Sequence, residues 1–262
     1  MQPLRAAAII CCMTSPAPQP VSVKIASEIQ DILMNGPSDS FHLRRLDGMI
    51  ASLAGVDPVS KEVFSGFVQM FQGKKAKAKS CFESAISMTG GDFFSTYNYA
   101  VALDYMWDAP GALAMLEKSV PNAYGDPDRC RPVLRRSFLL GGLEVAGKMA
   151  EALKQMQVLS DEDFPQQLLN AFVASKIPEV ALRAYVDAAY GVMGRMGVKV
   201  YMIGQELLPD DEILFSILVR ESSPEFLAKC DWEIAKAVAK RPEIKGVDIT
   251  PFSMVCRAYH GS

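Results

Sequence analysis

Histidine is scarce in this 262-residue chain, which carries only His42 and His260. A serine or cysteine nucleophile activated by an imidazole would have to use one of them, and neither has a recognisable partner nearby in sequence. His42 stands beside Arg44 and Arg45 and reads as a residue of a partly exposed helix. Metal-ligand spacing is missing too: there is no C-x-x-C, no H-x-x-x-H and no histidine–carboxylate cluster, so neither metal nor cofactor is expected. The hydrolase elbow G-x-S-x-G does not occur. Positive charge is in short supply, with a net charge of −3 and an isoelectric point near 5.5. That removes the main electrostatic reason for holding a phosphate backbone, and nucleic acid is not an expected partner. No apolar run approaches the roughly 18 residues that a membrane-spanning helix needs, so a soluble, cytoplasmic chain without a membrane partner is expected.

The six cysteines, Cys11, Cys12, Cys81, Cys130, Cys230 and Cys256, lack the density of a disulfide scaffold and read as free thiols in a reducing compartment. Near the start, Arg5 precedes an apolar run from Ala6 to Met13, the order of a secretion signal. The run is too short and lacks a convincing cleavage site, so residues 1–20 are read as a disordered leader and proline linker, with Met13 as an alternative start. Gly191, Gly194 and Gly197 mimic a phosphate-binding loop. No strand precedes them and no Gly-Lys-Ser/Thr follows, so a helix break with close backbone packing is the expectation. Lys74, Lys75, Lys77 and Lys79 form a basic run that reads as a solvated helix start, and a contact to an acidic partner is its functional alternative.

What the chain has is apolar residues at helical spacing. Hydrophobic residues make up 50% and charged ones 22%, enough for a sizeable core. Helical periodicity recurs between turn signals from Val21 to Tyr259, predicting an all-α fold. Residues 21–160 are expected to form helical hairpins. A C-terminal helical region, residues 161–262, would either extend them or pack as its own bundle. Its predicted helices span Glu179–Met193, Val198–Leu208, Asp211–Val219, Pro224–Lys240 and Pro251–Tyr259.

Two stretches repeat at an offset of 34 residues. Gly66, Phe71, Ala78, Phe82, Glu83, Ala85 and Ile86 fill the same slots as Ala100, Tyr105, Ala112, Leu116, Glu117, Ser119 and Val120. Small residues alternating with bulky ones let two antiparallel helices approach closely while larger side chains fill the gap. Residues 59–126 thereby resemble two tetratricopeptide repeats. A third hairpin is predicted from Leu134–Val145 and Met149–Leu159, turning at Gly147. The resemblance implies a short α-solenoid that binds other proteins along a groove lined by the first helix of each pair. Carried onto this chain, the groove residues are Phe67, Met70 and Phe71 from the first unit, and Tyr97, Asn98, Val101, Asp104 and Tyr105 from the second. This lining is aromatic and apolar, so an apolar or amphipathic peptide segment of another protein is the implied ligand.

The functional expectation is a non-enzymatic adaptor or chaperone. A regulatory protein whose C-terminal helices act on an effector is the alternative, and an enzyme with an unrecognised acid-pair site is the third reading. The sequence leaves the partner and the oligomeric state open.

Overall fold

The computed structural model describes residues 21–35, 39–209, 212–220 and 222–259. The expected leader, residues 1–20, lies outside them, as do His260, Cys11 and Cys12. Among the described residues no helix is long and apolar enough to cross a membrane.

Two helices, α1 (Val21–Asn35) and α2 (Ser40–Ala51), lead into three helix pairs: α3 (Pro58–Phe71) with α4 (Lys75–Thr89), α5 (Phe93–Tyr105) with α6 (Ala109–Ser119), and α7 (Pro127–Leu139) with α8 (Leu143–Gln155). The first helix of each pair opens on an aspartate. Asp57 accepts a hydrogen bond from the Ser60 amide, Asp92 from Ser95 and Asp126 from Asp128, each satisfying a donor that a helix start leaves unpaired. The second helices begin at residues 75, 109 and 143, in two steps of 34.

The turns between paired helices keep the same period. Gly73, Trp107 and Gly141 all have positive φ, at 73°, 64° and 72°. In each turn the following amide reaches back five residues: Lys74 N to Gln69 O at 2.9 Å, Asp108 N to Leu103 O at 2.9 Å and Gly142 N to Ser137 O at 2.8 Å. This αL cap satisfies the last helical carbonyls. The third hairpin therefore turns at Gly141–Gly142, whereas the sequence reading puts the turn at Gly147, a residue inside α8. Pro132, a residue that normally marks a helix boundary, lies inside α7 and disguises its true start.

Close approach explains the small residues. Ala78, Ala112 and Ala146 occupy equivalent places in α4, α6 and α8 and are fully buried. A Cβ added to Gly66 would fall 2.6 Å from the Phe82 ring, so only glycine lets α3 lie this close to α4.

Helices α9 (Phe164–Ser175) and α10 (Glu179–Met196) follow, and then the all-α expectation fails. Residues read as helices over Val198–Leu208, Asp211–Val219 and Pro251–Tyr259 form strands β1 (Val200–Leu207), β2 (Ile213–Val219) and β3 (Phe252–Ala258), with α11 (Pro224–Val238) between the last two. The strand order is β1-β2-β3, β1 pairing antiparallel with β2 and β3 parallel to it. The physical reason lies in β2, whose sequence Ile-Leu-Phe-Ser-Ile-Leu-Val is apolar on both faces. Periodicity cannot assign such a run, while Ile213, Phe215, Ile217 and Val219 are β-prone and suit a central strand.

Register puts Ile213, Phe215 and Ile217 of β2 on one face with Phe252, Met254 and Cys256 of β3, all buried. Helices cover this face. Phe172 of α9 meets Phe215 and Phe252 at ring distances of 6.3 and 5.9 Å, and Tyr185 of α10 meets Phe252 at 5.0 Å. One hydrophobic core runs from Ile25 to Cys256.

Candidate functional site

The residues expected to line a groove are largely inside the protein. In α5 every residue from Ser95 to Asp104 is buried, including Tyr97, Asn98, Val101 and Asp104. Tyr97 stacks on Phe93 at 5.3 Å, and the Asn98 side-chain amide donates to the Phe94 carbonyl at 2.7 Å. Phe67 is fully buried with its ring 5.2 Å from that of Phe82, while Met70 and Phe71 are half-buried. Tyr105 donates from its hydroxyl to the Leu33 carbonyl of α1 at 3.2 Å. These side chains form no open groove, because α1 and α10 cover the face that stacked hairpins alone would leave free.

Asp104 is the clearest case. Its Oδ2 pairs with the buried Arg136 guanidinium of α7, and its Oδ1 accepts from the Tyr190 hydroxyl of α10 at 2.7 Å. Arg136 also donates from Nε to the Tyr97 hydroxyl at 3.4 Å. An aspartate read as a ligand contact thus anchors three helices. Tyr190 meets Trp107 edge-on at 5.3 Å, and Gly194 leaves room for that side chain, since a Cβ there would stand 3.2 Å from the Trp107 Cβ and 3.4 Å from its indole. Two of the three clustered glycines, Gly191 and Gly194, are thus inside α10, and Gly197 ends it at a φ of 64°.

The other singled-out residues hold the surface together. His42 Nε2 lies 3.1 Å from a Glu28 carboxylate oxygen that Arg45 also contacts. Lys75 donates to the Met106 carbonyl at 3.1 Å and Lys79 pairs with Asp108 at 2.8 Å, so the basic run ties α4 to the next hairpin's turn. Among the described residues no group of three or more His, Cys, Asp or Glu could hold a metal ion.

An open concavity lies elsewhere. A cleft of about 730 Å³ runs between α7, the α8–α9 connection, the start of α9 and the end of β1. Leu134, Phe138, Leu153 and Leu168 form its buried apolar floor, while Val158 and Phe164, both about two-fifths exposed, form its rim. Arg131 and Arg135 enter from α7. Four residues apart, they share a helix face with Leu134 and Phe138. The opposite wall is Gln205, Glu206 and Leu207 of β1.

The carboxylates here are already engaged. Asp163 accepts from the Ser160 amide at 2.6 Å and its hydroxyl at 3.0 Å, bonds that hold its carboxyl below the usual range. Glu206 accepts from Ser216 at 3.2 Å and lies 3.7 Å from Arg257. The donors are less committed. Arg131 lies 3.7 Å from Asp128 and its charge also favours the Asp163 carboxylate, Arg135 has no ion pair among the described residues, and the buried Gln205 Nε2 has no hydrogen-bond partner there. The polar side chains lining the cleft are Arg131, Arg135, Asp163, Gln205 and Glu206.

Sequence reasoning misses this site because it begins the α7 helix at Leu134, beyond Arg131, and makes β1 a helix. The legible signal was the Arg131–Leu134–Arg135–Phe138 spacing, which places two cations beside two apolar residues on one stripe. No family model, curated protein sequence or solved structure matches this chain.

Proposed function

We propose that this chain is a binding protein of the tetratricopeptide-like kind, a short array of helical hairpins that holds a segment of another protein in the cleft between α7, α9 and β1. The observation that carries this reading is the cleft's composition: an apolar floor of Leu134, Phe138, Leu153 and Leu168 beneath Arg131 and Arg135, the latter without an ion pair among the described residues. Support for the array comes from the capped turns and buried alanines that recur every 34 residues. The cytoplasm is the compartment we infer, because Cys81, Cys130, Cys230 and Cys256 are free thiols and three of them are core residues.

A regulatory role is the second reading, and one feature favours it. The cleft is lined by the last hairpin, by the start of α9 and by the end of β1, so an occupant touches the helical array and the sheet at once. The effector-facing part then includes the sheet, not helices alone.

Selection of displayed random peptides against the intact chain tests the proposal. Enriched peptides are expected to lose binding to a Val158→Trp variant, which blocks the rim from an exposed position, and to keep binding to a Trp232→Ala control on the exposed face of α11. Enriched peptides indifferent to Val158→Trp, or no enrichment at all, contradict it.

A further inference from the structure

The edge of the sheet shows how the cleft's occupant is held, an inference that rests on the binding reading above. Successive side chains of a strand point to opposite faces, yet Gln205, Glu206 and Leu207 all line the cleft. An opening that meets the end of the strand from its outer edge touches three consecutive residues in this way. Over residues 205–207, which are half-buried, that edge is unpaired: β1 is the outer strand of the sheet, and among the described residues their backbone makes no hydrogen bond beyond the ladder with β2, whereas Ile203 and Gly204 are buried.

Exposed edges are normally blunted by bulges, proline or charge. Here the register irregularity lies between Val200 and Met202, at the far end of the strand. From Ile203 to Leu207 the ladder with β2 is regular. The part of β1 that faces the cleft is therefore the part able to accept another strand.

Charge narrows the occupant further. Both carboxylates at the cleft are bonded within the protein, Arg131 is held only at 3.7 Å by Asp128, and Arg135 and the Gln205 amide have no partner among the described residues. An acidic side chain entering between Arg131 and Arg135 would meet two guanidinium groups suited to carboxylate geometry. A basic one would meet like charge. The leucines and Phe138 beneath take an apolar neighbour.

We propose that the cleft binds an extended segment of a partner protein carrying acidic and apolar side chains, which adds as a strand to the outer edge of β1 while its carboxylates pair with Arg131 and Arg135. Main-chain pairing supplies the common part of the affinity and the side-chain sites supply the choice of segment.

Fluorescence anisotropy on the intact chain tests this with four labelled probes: a hexapeptide alternating leucine and glutamate, its lysine counterpart, the glutamate peptide N-methylated at alternate residues, and an amphipathic helical peptide. The glutamate peptide is expected to bind, the lysine and N-methylated peptides to bind at least about tenfold more weakly, and Arg135→Gln to weaken the glutamate peptide by about tenfold. Arg135 is half-exposed and unpaired among the described residues, so this variant is expected to keep its native circular dichroism. Equal binding of the glutamate and lysine peptides overturns the charge assignment. Undiminished binding of the N-methylated peptide overturns strand addition. If the helical peptide occupies the cleft instead, losing its binding to Val158→Trp, the binding function stands and this mode of holding falls. If none of the four binds, both fall. Competition by sodium octanoate together with indifference to N-methylation assigns the cleft to free apolar carboxylates and overturns the proposal, as does a dimer in sedimentation that holds β1 edge to edge.

Discussion

Tyr97 and Asp104 lie at the buried junction of α5, α7 and α10, where a sequence-derived groove and the observed core make opposite predictions. As groove residues they would tolerate truncation. As core residues they would not. Tyr97→Ala removes a fully packed ring and is expected to lower stability by about 3–5 kcal/mol in urea unfolding, the range for large-to-small changes of aromatic core residues. Asp104→Ala leaves the Arg136 guanidinium buried without its counter-ion, and a loss of about 3–5 kcal/mol is expected. An unchanged midpoint for both variants would return α5 to the surface. Thiols report on the same burial. Burial, and the nearby Asp231 carboxylate, push the Cys256 and Cys230 thiols up, and burial does the same to Cys130. At pH 8 these groups are thiols rather than reactive thiolates. Iodoacetamide followed by peptide mapping is expected to leave all three unmodified in the native protein and to alkylate them on unfolding; rapid native labelling would contradict their placement.

The hairpins were legible in the sequence to the extent that their packing uses residue identity. Ala78 and Ala112 show the 34-residue register directly, and Ala146 extends it to a third pair whose start Pro132 hid. Leucine at any of the three forces extra carbons into a closed helix contact, and a loss of about 1–3 kcal/mol is expected at each. Neutral behaviour at all three would make the register an accident. The sheet was less legible, for reasons that differ by strand. In β2 no polar residue marks a solvent face apart from the buried Ser216, so nothing in the pattern separates strand from buried helix. β3 did carry the signal: Phe252, Met254 and Cys256 are buried while Ser253 and Arg257 are exposed, a period of two. The Thr250–Pro251 pair before it resembles a helix start and outweighed that alternation. The burial of Phe67, Tyr97, Val101 and Asp104 was not legible for another reason, since residue type cannot tell an aromatic stripe that meets a ligand from one that meets neighbouring helices.

At the scale of the molecule, the first helices of successive hairpins are closed off at α5 and opened again at α7. Tyr190 and the Asp104–Arg136 pair seal the middle of the array, and the aromatic contacts of Phe172 with Phe215 and Phe252 fix the sheet against α9. The space left over is the cleft beside Arg131 and Arg135, one wall from the hairpins and one from β1. The central claim is that a peptide occupies this space, and amide hydrogen exchange of the intact chain tests it most directly, with and without a saturating selected peptide. The account predicts added protection in residues 205–207 of β1, whose outward amides would gain partners, and in the adjoining parts of α7 and α9. Protection confined to α3 and α5, or none beyond the free protein, would contradict it.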